Sequence, residues 1–96
     1  MRKVKVLVEI VEELGSYGDE EDIYADEPWT PDSPAIVLNR PESPGLPEEA
    51  SSLGMTYFIA AFIAKEFLED WVKAQDTKPT YREQCERLVH YAIHDA

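Results

Sequence analysis

An α+β fold, with a small three-stranded sheet packed on one side by three to four helices in a single domain over residues 1–96, is predicted by three features of the chain. Short apolar runs at residues 22–25, 35–38 and 55–59 alternate with longer segments of helical periodicity. Proline and glycine stand between these segments, where chains turn. The 44% hydrophobic content of 96 residues supports one modest core, with about 60–65% of the unfolded chain's surface buried.

Residues 4–14 read two ways. Val4, Val6, Val8 and Ile10 alternate like a strand, whereas Val4, Leu7, Val11 and Leu14 form a helical stripe with Glu9, Glu12 and Glu13 on the solvent side. The helix is preferred, with Gly15 placed to end it in the left-handed conformation that glycine tolerates. Ser16 to Glu21 is a polar loop and Asp22-Ile23-Tyr24-Ala25 a short strand. Pro28, Pro31 and Pro34 remove backbone donors, so Glu27 to Ser33 reads as extended loop with Trp29 as its apolar anchor. Ala35-Ile36-Val37-Leu38, an unbroken apolar run between prolines, marks a buried strand.

A proline- and glycine-rich connection over 40–46 leads into Pro47-Glu48-Glu49-Ala50-Ser51-Ser52-Leu53-Gly54, which begins with proline and acids and ends with glycine, as a short helix does. Met55 to Ile59 is the third strand. Residues 60–75 form the clearest helix, with Ile63, Phe67 and Trp71 at helical spacing beside Ala64, Leu68 and Val72. Thr80-Tyr81-Arg82-Glu83 is a capping box opening the last helix, on which Tyr81, Cys85, Leu88, Val89 and Ala92 share a face.

Function is less legible than fold. The formal charge is −11, and between Val6 and Asn39 there are ten acidic residues and no Lys or Arg. Such a field repels nucleic acid and anionic membrane and attracts cationic partners. Asp19, Glu20, Glu21, Asp22, Asp26 and Glu27, interleaved with Tyr24 and Trp29, are therefore the candidate partner-binding residues, because tight interfaces combine aromatic anchors with steering charge. The plain alternative is surface charge that maintains solubility, with Trp29 a plug over the sheet edge and Trp71 part of the core.

Other chemistries lack parts. Glu86, His90 and His94 follow one another at steps of four on a helix, but a zinc site needs further ligands, and histidines in a last helical turn suit its negative end. Cys85 on an apolar face reads as core rather than nucleophile, and a single cysteine suits a reducing compartment. Asp19-Glu20-Glu21-Asp22 lacks the alternating ligands of a calcium loop, and the glycines at 15, 18, 45 and 54 form no phosphate loop. The expectation is a non-enzymatic protein without cofactor or metal. No apolar stretch reaches membrane-spanning length, and the start Met1-Arg2-Lys3-Val4-Lys5 leads into charged sequence, so the expected location is cytoplasmic.

Asp22-Ile23-Tyr24, Pro28-Trp29-Thr30-Pro31, Ala35 to Leu38 and Leu53-Gly54-Met55-Thr56-Tyr57-Phe58, continuing through Lys73-Ala74-Gln75, Leu88, Tyr91 and His94-Asp95-Ala96, resemble a group of small bacterial domains of unknown function. These are single-domain cytosolic proteins, some of which look like immunity proteins of polymorphic toxin systems. The resemblance implies inhibition of a cationic, nuclease-like toxin by direct contact. The alternative from a different class is a structural or assembly module acting as a homodimer.

Overall fold

The computed structural model describes residues 3–94, so Met1, Arg2, Asp95 and Ala96, quoted above for the chain start and the resemblance, lie outside the described residues. The strands are β1 (Lys5–Val6), β2 (Glu21–Ala25), β3 (Pro34–Asn39) and β4 (Thr56–Ala60), and the helices are α1 (Leu7–Glu12), α2 (Glu48–Ser52), α3 (Ala61–Lys73) and α4 (Tyr81–His94). A 3₁₀ turn at Leu14–Ser16 follows α1. The strands form one antiparallel sheet in the order β1-β3-β2-β4. The fold is therefore α+β as predicted, with four strands where three were expected.

The added strand comes from the ambiguous start of the chain, where both readings hold in succession. Lys5 and Val6 pair with Ala35 and Pro34, and the chain then turns into α1. The switch occurs where the first helical amides find acceptors: Leu7 N–H donates to the Ser33 carbonyl and Val8 N–H to the Pro31 carbonyl, both at 2.9 Å. These bonds satisfy donors that the first turn of a helix otherwise leaves orphaned. Gly15 lies within the 3₁₀ turn, and the left-handed glycines are instead Gly45 and Gly54. Gly54, at φ +73°, closes the short helix where glycine was expected to close it.

Strand alternation divides the interior in two. Ile23 and Ala25 of β2, with Ala35 and Val37 of β3, face α1, α3 and α4 and join Leu7, Ile10, Val11, Leu68, Cys85 and Leu88 in the main core. Tyr24, Ile36 and Leu38 face the other way and pack with Ala50 of α2 and Met55. The helices thus do not all lie on one side: three cover one face and α2 shields part of the other. The second face is apolar along β3 because Ala35 to Leu38 is an unbroken run, and such a strand needs cover on both sides.

On α3 the deepest side chains are Ala61, Ala64 and Leu68, while Ile63, Phe67 and Trp71 are half-buried. Small residues allow the close approach to the sheet and the large ones flank it. The capping box forms as read, with Thr80 Oγ1 accepting from Glu83 N–H at 3.1 Å and Glu83 Oε1 accepting from Thr80 N–H at 2.9 Å. Gln84 is buried beside Cys85 and Leu88, its amide donating to the Pro79 carbonyl, whereas Tyr81 is largely exposed.

Candidate functional site

The site is built on the sheet face that α2 leaves partly open. Alternation along β2 sends Asp22 and Tyr24 to this face, and Tyr57 arrives opposite Tyr24 from β4. The two rings meet edge-on, centroids 6.0 Å apart at 75°. Tyr24 is buried and Tyr57 is 46% exposed, so one phenol forms the floor and the other an open wall. With the 41–46 connection they line a groove of about 530 Å³. Desolvation, and then the nearby Asp22 carboxylate, push both phenols above their usual pKa. They remain protonated and able to donate near neutral pH.

Arg40 supplies the cation of the groove, and it is already engaged. Its Nη2 and Nε donate to Asp22 Oδ1 and Oδ2 at 2.9 and 3.3 Å, a two-pronged pair in which the aspartate side chain is only 6% exposed. Its backbone N–H donates to the Glu20 carbonyl at 2.7 Å, which ties the end of β3 to the start of β2. Asp22 is therefore a structural anion held by its own arginine, and not an exposed carboxylate awaiting a partner.

Six of the eight predicted residues fall into three places. Asp19 and Glu20 are exposed at one end of β2, beside Arg40, and Asp26 and Glu27 are exposed at the other end. The strand separates these pairs by about 20 Å at the usual rise per residue. Glu27 Oε1 accepts from Thr56 Oγ1 at 3.0 Å, which places it next to Tyr57. Asp22 and Tyr24 lie between the two pairs, on the groove.

Glu21 and Trp29 depart from the predicted cluster. Glu21 falls on the opposite parity from Asp22, is half-buried, and accepts from Gly18 N–H at 2.7 Å. Trp29 packs edge-on against Phe58 at 4.9 Å on the main-core side, and its indole N–H donates to the Ala25 carbonyl at 3.3 Å. It is the plug of the alternative reading. A bulge in the β2–β4 ladder makes this packing possible: Ile23 faces Ile59 and Tyr24 faces Tyr57, which leaves Phe58 as the extra residue on the core side. The aromatic that the sequence reading missed is Tyr57. Its signal was present as a position in the predicted third strand, Met55 to Ile59, but the sequence reading did not assign the faces of that strand.

Elsewhere in the acidic stretch, charge is spent locally. Glu13 accepts from Lys5 Nζ at 2.6 Å and from the Tyr17 hydroxyl at 2.6 Å, and these bonds hold its carboxyl below the ordinary glutamate value. Asp32 pairs with Arg82 at 2.8 Å. Cys85 is fully buried and desolvation pushes its thiol up to about 12, so no thiolate forms near neutral pH. The His90 and His94 rings lie 4.5 Å apart, with Arg87 Nη1 3.0 Å from His90 Nδ1. Among the described residues no group of three or more His, Cys, Asp and Glu is placed to hold a metal ion. No helix among them is long and apolar enough to cross a membrane.

Fold and site together define an α+β protein with an acid-flanked, tyrosine-lined groove on one sheet face. No family model, curated protein or solved structure matches the chain.

Proposed function

We propose that this chain is a non-enzymatic acidic binding protein that captures a cationic protein partner on the grooved face of its sheet, as an immunity protein or antitoxin blocks a basic, nuclease-like toxin in the bacterial cytoplasm. The observation that carries the reading is the placement of exposed carboxylates at both ends of β2, Asp19 and Glu20 beside Arg40 and Asp26 and Glu27 beside Thr56, with the Tyr24–Tyr57 groove between them. Aromatic surface at the centre supplies burial and hydrogen-bonding phenols, and charge at the margins steers the partner in. The same field opposes binding of nucleic acid and of anionic membrane, and the binding reading requires no cofactor.

The test compares capture of basic proteins from host lysate by the wild type, by a variant with Asp19→Asn, Glu20→Gln, Asp26→Asn and Glu27→Gln, and by a control with Glu66→Gln, Glu69→Gln and Asp70→Asn on α3. A basic protein held by the wild type and the control but lost from the first variant supports the reading. Equal capture by all three overturns it.

A homodimer is favoured by one observation: β4 is an edge strand, with one side of its backbone unpaired within the sheet and Tyr57 exposed upon it. The charge of −11 on each copy opposes such pairing. Sedimentation at micromolar concentration separates the two, a monomer favouring capture of a different protein.

A further inference from the structure

A second cleft, on the helical side of the molecule, has the opposite electrical character. Between α1 with its following turn, α3 and the start of α4 lies a cavity of about 390 Å³. Its lining is apolar along Val11, Leu14, Leu68 and Val72, the first three of these buried in the fold. Lys65, Lys73 and Lys78 also line it, against a single carboxylate, Glu69. Lys65 is committed, its ammonium donating to the Tyr17 carbonyl. Lys73 and Lys78 are exposed and make no ion pair among the described residues.

This grouping runs against the composition. The chain has nine Lys and Arg against twenty Asp and Glu, yet three lysines gather at one apolar cleft. The groove on the sheet face has the reverse balance, with Asp22 and Glu42 beside Arg40. An apolar lining with cations at its margin complements a molecule that is apolar along its length and anionic at one end. The volume stands at the lower end of the range for small-molecule sites, about 300–1,000 Å³, which favours a small ligand over a partner's helix.

We propose that this cleft is a binding site for a single-chain anionic amphiphile, whose alkyl tail lies along Val11, Leu14, Leu68 and Val72 and whose carboxylate pairs with Lys73 and Lys78. The site is independent of the docking face, and either can fail without the other.

The test is titration of the full chain with decanoate below its micelle concentration, followed by amide NMR, with decanol as the neutral and decyltrimethylammonium as the cationic comparison. Saturable shifts confined to residues around 11–15, 65–73 and 78–84 are expected, with decanoate bound about tenfold more tightly than decanol because only it forms charge-assisted bonds. In Lys73→Gln/Lys78→Gln, decanoate is expected to weaken to the level of decanol, while decanol binds as before and so reports an intact cleft. Equal binding of the three probes by the wild type overturns the proposal, as do shifts centred on Tyr57, an absence of saturation, or a double variant that keeps its preference for decanoate.

Discussion

Arg40 and Asp22 illustrate how a residue's role depends on its burial and not on its charge. A carboxylate that is almost wholly enclosed is costly unless its lone pairs are occupied, and Arg40 occupies them from the groove side. Removing the arginine alone strands the anion. We expect Arg40→Met to lower the urea midpoint, and the added Asp22→Asn to restore more than half of that loss, since an amide is far cheaper to leave in place. Two singly destabilising substitutions whose effects simply add would show that the pair does not act as a unit.

Glu13 gives a pH-dependent case. Its folded-state pKa is depressed, first by the hydrogen bonds from Lys5 and Tyr17, so its contribution is present above the unfolded value and is lost as pH falls through the folded one. The stability gap between wild type and Glu13→Gln is therefore expected to be full near neutrality and to close below about pH 4.3. A gap that widens on acidification would reverse the assignment.

Among the elements, α4 has the best-defined start. Reciprocal bonds between Thr80 and Glu83 satisfy amides that the first turn leaves open, and Thr80→Ala is expected to cost about 1 kcal/mol, read as a shift in the urea midpoint at unchanged slope. That cap was legible in the sequence because it is chemistry between near neighbours. So were the buried strand at residues 35–38, read between its prolines, and the Gly54 terminus. Tertiary partners decided the rest. The alternation at the chain start could not show that only Lys5 and Val6 would be strand, because that strand ends where its partners Ala35 and Pro34 end. The bulge opposite Ile23 and Tyr24 puts neighbouring Phe58 and Ile59 on the same core side, and no local pattern announces an extra residue in a ladder. For the candidate site, the exposed acids at the ends of β2 were readable from composition. Which side Trp29 and Glu21 would take was not, since a loop and a strand's parity set it.

Over the whole molecule, the net charge of −11 includes two acid pairs at the ends of one central strand, while a lysine-lined cleft lies among the helices. For a cationic partner arriving at the sheet face, the association rate is expected to fall by about tenfold or more between roughly 50 and 300 mM salt, with dissociation changing much less, as stopped-flow mixing would measure. A rate indifferent to salt would leave the carboxylates no part in steering.

The packing of α1 also bears on how the molecule is made. Its opening amides rest on carbonyls of residues 31 and 33, and its apolar side meets Cys85 and Leu88 of α4 in a common core. Leu7 is synthesised long before Leu88, yet both belong to the same core. The early segment can find its hydrogen-bond partners once residues 31–35 are made, but its packing is completed only when α4 arrives. Cleavage that removes α4 should then release the opposite end as well, so that protease resistance vanishes in one step instead of wearing away from a tail.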